Sequence, residues 1–263
     1  MFPIEIFWLA GLLVFLLMTL MWVWSLVLRD SSIVDPLWGT GFVVLAWFYS
    51  FLTSLNGDPM RGNLLLALVF LWGLRLSIFL LIRSVQNGKE DPRYAKWRKE
   101  AGRAWWWRSY FQIFLLQGVL MWLLSAPFLV VLNSLTPIGL TGLDYAAAVL
   151  WGVGFFFEVV GDWQLMRFKG DPANKGKVLD SGLWRYTRHP NYFGEALMWW
   201  GYGLLAANSG AWWALLSSLA MTFLLLRVSG VTLLERDLKQ SKPQYAAYIE
   251  RTSAFFPRPP KSA

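Results

Sequence analysis

Long apolar runs alternate along the chain with short polar connections, a pattern that predicts membrane-spanning helices. A run of roughly 20 apolar residues is long enough to cross the ~30 Å hydrocarbon layer as a helix. The predicted spans are Ile6–Leu28, Val34–Leu55, Asn63–Ile82, Phe111–Leu132, Leu143–Met166, Glu195–Ala207 and Trp212–Leu234. The chain is therefore predicted to be an all-α integral membrane protein with about seven transmembrane helices, forming a single polytopic domain over residues 1–263.

The basic residues fall in alternate connections between these spans, and their distribution predicts an orientation. One set of connections contains Arg29, the stretches 83–108 and 167–188, and the closing stretch 236–261, whereas the opposite set offers only Arg61. Because cytoplasmic loops carry the excess of lysine and arginine, the N-terminus is predicted outside and the C-terminus in the cytoplasm.

The composition supports the membrane prediction and removes several classes of function. Hydrophobic residues make up 56% of the chain and charged residues only 15%, against roughly 25% charged residues in a soluble domain. The 18 tryptophans fit the belts that indole rings form at membrane interfaces. The net charge of +8 lies in loops, which favours contact with anionic lipids or phosphate over nucleic acid. With no cysteine and one histidine, neither a disulfide nor a metal site is predicted.

One stretch, Ser181–Glu195, combines the single histidine with arginines, aromatic residues, an amide and a carboxylate directly before an apolar span. Polar groups this dense at a membrane face need partners or water. Arginines suit phosphate, amides and carboxylates suit hydroxyls and carboxamides, and aromatic rings suit stacking, so an anionic, aromatic cofactor is predicted. The candidate residues are Trp184, Arg185, Arg188, His189, Asn191, Tyr192 and Glu195. A basic cytoplasmic loop that only orients the next helix is the alternative.

The end of the fifth span adds two carboxylates and a cationic connection. Glu158 and Asp162 are four residues apart and therefore lie on one helical face. They are predicted either to bind ribose hydroxyls or a carboxamide, or to belong to a structural ion-pair network. The cationic candidates that follow are Arg167, Lys169, Lys175 and Lys177. No predicted strand precedes the glycines of this span, so a nucleotide would be bound by a device other than a Rossmann turn.

Three further ionisable residues lie inside or beside predicted spans. Arg227 stands at a depth where an arginine costs at least ~2.5 kcal/mol, so it is predicted to face the bundle interior or a polar cavity. Asp35 and Arg75 are predicted either to form a structural pair or to line a cavity, where the carboxyl group would donate a proton or a hydrogen bond to a substrate.

The stretch Leu179–Glu195, with its Arg188-His189-Pro190 and Asn191-x-x-Gly194-Glu195 patterns, resembles the C-terminal motif of the steroid 5-alpha-reductase-like superfamily. The resemblance covers about Glu158 to Pro257 and extends loosely over the first half. It implies a cofactor-binding half over residues 143–263 and a substrate-cavity half over residues 1–142. The positions that it matches to NADPH binding are Asp162, Arg185, Arg188, Asn191, Tyr192, Glu195 and Arg227. The closing stretch also resembles the superfamily, and its candidates are Glu235, Tyr245 and Tyr248.

The first half departs from the steroid 5-alpha-reductases, which place a Gln-x-Glu-type motif in the second span and a tyrosine in the third. Asp35 and Arg75 are the ionisable groups that these helices offer instead, and they are the candidate catalytic residues. The resemblance implies an NADPH-dependent reductase that transfers a hydride to an activated C=C bond of a lipophilic, steroid- or isoprenoid-like substrate. It also implies a bacterial inner membrane protein whose cofactor site faces the cytoplasm.

Two other functions stay open. The Arg-His-Pro segment is shared with the isoprenylcysteine carboxyl methyltransferases, so an S-adenosylmethionine-dependent methyltransferase of a lipid or prenylated thiol is one alternative. Arg185, Arg188 and Arg227 favour a phosphate-bearing dinucleotide over a sulfonium cofactor. A non-catalytic lipid-binding membrane protein is the other alternative. The predicted partners are the lipophilic substrate and membrane lipids.

Overall fold

The structure is a computed structural model that describes residues 3–53, 57–228, 231, 234–235, 238 and 242–261. These residues form helices and loops, and no strand occurs among them, which confirms the predicted all-α class. The α-helices of the described part are α1 (Pro3–Leu28), α2 (Leu37–Thr53), α3 (Pro59–Asn87), α4 (Pro92–Ala101), α5 (Trp105–Ser109), α6 (Leu116–Leu124), α7 (Ala126–Asn133), α8 (Gly142–Gly170), α9 (Pro190–Asn208), α10 (Leu215–Phe223) and α11 (Tyr245–Arg251). Two turns of π-helix, Tyr110–Leu115 and Leu224–Val228, interrupt this pattern.

Within the described residues, five helical stretches are long and apolar enough to cross a membrane. They are Pro3–Leu28, Ser31–Thr53, Pro59–Asn87, Pro92–Asn133 and Gly142–Gly170. These stretches overlap the first five predicted spans. The sixth predicted span lies in α9, which begins with polar residues and is not among the five.

The last part of the chain is described only in part. A shorter apolar stretch, Trp212–Val228, covers the start of the seventh predicted span. Several later residues of that span, and the last two of the second, lie outside the described residues. The count of seven crossings and the orientation of the termini therefore stay predictions.

Many large apolar side chains are exposed, as expected for helices that face lipid. On α1, Trp8, Leu20 and Val27 are 62%, 67% and 72% exposed. Soluble monomers rarely leave continuous apolar surface of this kind in water. Together with the five apolar helical stretches, this exposure identifies the chain as an integral membrane protein.

The chain divides into two compact units, Met1–Thr141 with Asn208–Ala211, and Gly142–Ala207 with Trp212–Ala263. In the first unit, the backbones of α2 and α3 cross closely. A Cβ added to Gly39 would lie only 2.0 Å from the Gly73 carbonyl oxygen, so only glycine fits at this crossing. Ser77 of α3 fastens the start of α2. Its hydroxyl donates to the Pro36 carbonyl at 2.6 Å and accepts from the Thr40 N–H at 2.8 Å.

In the second unit, the backbones of α8 and α9 are in contact. A Cβ added to Gly194 would lie 2.4 Å from the Gly154 carbonyl oxygen, and one added to Gly154 would lie 2.5 Å from the Gly194 carbonyl oxygen. Small residues at such crossings are typical of helix pairs in membranes. With 29 residues, α8 is roughly 43 Å long and exceeds the ~30 Å hydrocarbon layer.

Candidate functional site

The α8–α9 crossing places the carboxylates of α8 beside the first turn of α9. Asp162 is buried and accepts a hydrogen bond from the Asn191 side-chain amide at 3.0 Å. Gly161 allows this approach, because a Cβ there would lie 3.1 Å from Pro190 Cγ. Glu158 lies one turn earlier on the same face and is also buried. An acid and an amide held together in this way have the chemistry that a hydroxyl or carboxamide ligand needs.

The loop before α9 is fastened to the same stretch of α8. The Trp184 indole N–H donates to the Gly161 carbonyl at 3.1 Å, and the Leu183 N–H donates to the Gln164 side chain at 3.0 Å. Gly182 has a φ of 59° in this turn, a conformation that favours glycine. Because Trp184 is buried, its ring packs inside the unit and is not exposed to stack on a ligand.

Arg188 and His189 form a hydrogen-bonded cluster with Glu235, in which Arg188 and Glu235 are an ion pair. Arg188 Nε lies 2.8 Å from Glu235 Oε1, and His189 Nε2 lies 3.2 Å from the same oxygen. Arg188 also donates to the backbone carbonyls of Ile249, at 3.1 Å, and of Thr252. Arg188 therefore has structural partners within this unit, and its predicted phosphate contact stays a prediction.

The C-terminal segment, residues 245–261, packs along this same loop before α9. The Thr187 hydroxyl donates to the Phe255 carbonyl at 2.8 Å, and the Tyr248 hydroxyl donates to the Trp184 carbonyl. Tyr245 is buried nearby, and burial raises the pKa of both Tyr245 and Tyr248, so both hydroxyls stay protonated. The two tyrosines stabilise the contact between the loop and the C-terminal segment.

Several other predicted cofactor-binding residues are accessible. Tyr192 and Glu195 are half-buried, and the Tyr192 ring stacks on His189 with 5.6 Å between centroids. The exposed cations of the second unit include Arg167, Lys169, Lys175, Lys177 and Arg185. They lie near the end of α8 and in the loop between α8 and α9, the two helices that carry the buried pair of Asp162 and Asn191.

Arg227 was predicted to face the bundle interior or a polar cavity. Its side chain is exposed, so it is not enclosed in the interior, and the polar cavity stays a prediction. Arg227 lies in the π-helical turn Leu224–Val228, near the end of the apolar stretch Trp212–Val228. A long arginine side chain near a helix end can extend to the polar interface and avoid the cost of burial.

In the first unit, Asp35 lies directly before α2 and takes its partners from α4. The Tyr94 hydroxyl donates to Asp35 Oδ1 at 2.7 Å, and the Arg93 guanidinium lies 3.5 Å from Oδ2. The Gln117 amide donates to the Tyr94 oxygen at 3.4 Å, and the Trp38 indole N–H donates to Gln117 at 2.6 Å. A chain of hydrogen-bonded side chains therefore runs from α2 through α6 and α4 to Asp35.

Tyr94 and Gln117 are not among the predicted site residues. Gln117 carries a sequence signal, since it is an amide inside a predicted apolar span. Tyr94 carries no such signal, because it lies in a charged stretch and nothing in that stretch distinguishes a buried tyrosine from a surface one. The predicted residue Arg75 is half-buried, with its guanidinium 5.2 Å from the Phe79 ring centroid. The catalytic assignment of Asp35 and Arg75 stays a prediction.

Acidification is expected to weaken the cluster of Arg188, His189 and Glu235. Burial favours the protonated carboxyl, but hydrogen bonds from His189 and Arg188 overcome this effect and lower the pKa of Glu235 from 4.5 to about 2. A pKa depressed by folding stabilises the fold above the unfolded value, so about 2–3 kcal/mol of stability should be lost as the pH falls from 4.5 toward 2. Thermal unfolding in detergent at stepwise lower pH measures this. An equal acid sensitivity in Glu235→Gln would contradict the assignment.

Known proteins match the chain over most of its length. Residues 21–252 match the model of a family described as a protein of unknown function, DUF1295, which belongs to the steroid 5-alpha-reductase-like group. An uncharacterized protein of Schizosaccharomyces pombe is 27% identical in an alignment of 275 positions. The alignment covers 94% of this chain and 78% of the yeast protein.

A second relative matches over a shorter stretch. A probable O-methyltransferase of Ustilaginoidea virens is 37% identical over 76 residues, which cover 29% of this chain and 25% of the methyltransferase. No solved structure matches the chain. Because the family match extends through both compact units, the chain belongs to the DUF1295 family, within the steroid 5-alpha-reductase-like group.

Proposed function

We propose that the protein is a membrane-embedded, NADPH-dependent reductase of an activated C=C bond in a lipophilic substrate. The place of its family in the steroid 5-alpha-reductase-like group supports this class of reaction. The observation that carries the cofactor assignment is the run of exposed cations between α8 and α9, the helices that carry the buried pair of Asp162 and Asn191. Seven spans, a cytoplasmic cofactor site and a bacterial inner membrane location belong to the same proposal.

The donor set of the second unit fits the chemical parts of NADPH. Its exposed cations suit the pyrophosphate and the 2′-phosphate, since charge-assisted hydrogen bonds to phosphate are strong. Asp162 and Asn191 suit a ribose hydroxyl or the carboxamide, and the stacked rings of His189 and Tyr192 offer an aromatic face. When bound, NADPH supplies the hydride.

The first unit contains a hydrogen-bond donor for a substrate carbonyl. Tyr94 is hydrogen-bonded to Asp35 at 2.7 Å, and Gln117 donates to its oxygen. When Asp35 is protonated it can donate to the Tyr94 oxygen, which leaves the Tyr94 hydroxyl hydrogen for the carbonyl. A donor fixed in this way stabilises the negative charge that develops on the carbonyl oxygen as the C=C bond is reduced. We assign this role to Tyr94, with Asp35 as the residue that positions it.

Removing two exposed cations between the carboxylates of α8 and the start of α9 is expected to weaken NADPH binding. Lys169→Gln combined with Arg185→Gln should lower the affinity roughly tenfold or more, at about 1 kcal/mol for each exposed charge-assisted contact. NADPH should also bind more tightly than NADH, because the loop has more cations than a pyrophosphate alone requires. Fluorescence titration of the purified protein in detergent measures both affinities.

The matched control replaces two exposed lysines of α4, Lys96→Gln with Lys99→Gln, and so removes the same charge from the other unit. It should leave NADPH affinity unchanged. An equal loss in the control, or equal affinities for NADPH and NADH, would sink the cofactor assignment.

Tyr94→Phe is expected to separate cofactor binding from chemistry. Without the hydroxyl, turnover of an enone lipid should fall by about a hundredfold or more, the usual effect of losing one donor to a developing oxyanion. NADPH affinity should be unchanged. Loss of NADPH fluorescence in the presence of the lipid measures turnover. Tyr110→Phe is the control, since its hydroxyl bonds Thr19 at 3.1 Å in the same unit, and an equal loss there would argue against a role for Tyr94.

An S-adenosylmethionine-dependent methyltransferase is the second candidate. Two observations favour it. A probable O-methyltransferase is 37% identical over 76 residues. Arg188 forms an ion pair with Glu235, so fewer arginines are available to bind phosphate. Calorimetric titration with S-adenosylmethionine distinguishes the two enzymes, because each is expected to bind only its own cofactor. A non-catalytic lipid-binding protein should bind neither.

A further inference from the structure

Two neighbouring cavities in the first unit, the smaller of which Asp35 lines, indicate a ligand site beyond the proposed reaction. The larger is an open apolar groove between α1, α2 and α3 with a volume of about 340 Å³, within the range of roughly 300–1,000 Å³ that is usual for small-molecule sites. The smaller is polar and has a volume of about 30 Å³. Pro36 lines both, so the two cavities are adjacent.

Helix α3 runs along both cavities and changes character between them. Leu74, Ile78 and Leu81 line the groove, whereas Ser84 and Asn87 line the polar pocket. Their spacing of three or four residues places them along one side of the helix. With 29 residues, α3 is roughly 43 Å long, so it exceeds the ~30 Å hydrocarbon layer and its polar last turns can reach the interface. This arrangement matches a ligand with an apolar chain and a polar head.

Contacts within the protein shape the groove. The contact of Gly39 with Gly73 fixes α2 against α3. Ser77, the polar side chain that α3 contributes to the groove, is already hydrogen-bonded to the backbone of Pro36 and Thr40. The wall therefore offers apolar surface and satisfied polar groups, which suits a hydrocarbon chain.

The charges at the polar end favour an anionic head. The carboxylates of Asp35 and Asp91 are both bound by Arg93, at 3.5 Å and 2.9 Å. Arg83 lies at 4.0 Å from Asp91 with its side chain 55% exposed, so it can also reach a ligand. Lys89 is exposed and makes no ion pair within the described part of the chain.

The surrounding sequence strengthens this preference. Residues 83–108 contain eight basic and three acidic residues. Their excess of positive charge outweighs the roughly half a negative charge at the C-terminal end of a helix such as α3. The polar pocket has room for about one water, so a phosphate would lie at its mouth, within reach of Arg83 and Lys89, and not inside it.

We propose that this groove holds one anionic phospholipid. One acyl chain lies along α3 between Leu74 and Leu81, and the phosphate binds Arg83 and Lys89 at the interface. The site holds its lipid whether the protein reduces, methylates or only binds its substrate.

Native mass spectrometry of the full chain in detergent tests the proposal. Titration with dioleoyl phosphatidylglycerol is expected to show one lipid bound roughly tenfold more tightly than dioleoyl phosphatidylcholine, since each nearby cation strengthens binding of an anionic lipid severalfold. Arg83→Gln with Lys89→Gln should abolish the preference. Ile78→Trp, which fills the groove, should weaken both lipids, whereas Val149→Trp, at an exposed apolar residue of α8 that lines neither cavity, should not.

The control for charge is Lys96→Gln with Lys99→Gln, which removes two exposed cations of α4 that do not line either cavity. It should keep the preference for phosphatidylglycerol. If this control loses the preference as fully as the Arg83 and Lys89 variant, the attraction is a general property of the basic surface and the site is refuted. Equal binding of the two lipids, or displacement of the lipid by inorganic phosphate, also overturns the proposal.

Discussion

Gly154→Val is expected to disrupt the second unit. A Cβ at Gly154 would lie 2.5 Å from the Gly194 carbonyl oxygen and 2.9 Å from the Met198 backbone nitrogen, so the new side chain would collide with backbone that cannot turn away. Overpacking of this kind costs at least about 1–3 kcal/mol, and here it would also separate Asp162 from Asn191. Thermal unfolding and gel filtration in detergent should show a less stable, partly aggregated protein that has lost its cofactor affinity.

Gly152→Val is the control for this variant. Gly152 lies on the same helix two residues earlier, and a Cβ there would have no neighbour within 4 Å. The two variants share the change in helix propensity and differ in the collision. If Gly152→Val is as unstable as Gly154→Val, the backbone contact between α8 and α9 is not what holds this unit together.

Arg188→Ala is expected to remove more stability than cofactor affinity. The substitution leaves Glu235 part-buried without its 2.8 Å partner and frees the carbonyls of Ile249 and Thr252. Losing one partner of a buried ion pair costs about 3–5 kcal/mol. The yield of folded protein and its unfolding temperature should fall, and proteolysis after α11 should become faster.

Two further variants keep this prediction testable when Arg188→Ala folds poorly. Arg188→Met with Glu235→Leu removes both charges and should recover much of the lost stability, as apolar replacements of buried ion pairs often do. Arg185→Ala, three residues earlier and exposed, should leave stability unchanged. If folded Arg188→Met/Glu235→Leu protein binds NADPH far more weakly than the parent, Arg188 contacts the cofactor and the structural assignment is wrong.

The helices could be predicted from the sequence because burial in lipid requires long apolar runs, which composition alone reveals. That Glu158 and Asp162 share one face of α8 was also predictable, because helical periodicity places residues four apart on the same side. The partners of Arg188 were not, because two of them are backbone carbonyls, which every residue carries. Gly154 and Gly194 are recognisable as glycines inside apolar stretches, but the contact between them cannot be predicted from either stretch alone.

Long-range pairs account for the other differences. Asp35 and Tyr94 are separated by 59 residues, and the helix that carries Tyr94 reads as a charged surface stretch. Local patterns therefore predict which residues carry chemistry, whereas the choice of partner depends on how the helices pack.

The bonds from Arg188 to the C-terminal segment also set an order of events during synthesis. Its carbonyl partners come 61 and 64 residues later in the chain. At a translation rate of roughly 5–20 residues per second, they leave the ribosome about 3–13 s after Arg188 does. Glu235 comes 47 residues after Arg188, so for the first seconds of that interval the guanidinium has no native partner and must remain in water or at lipid headgroups. Chaperones or proteases that act on this unit therefore have a window of seconds in which its loop is open.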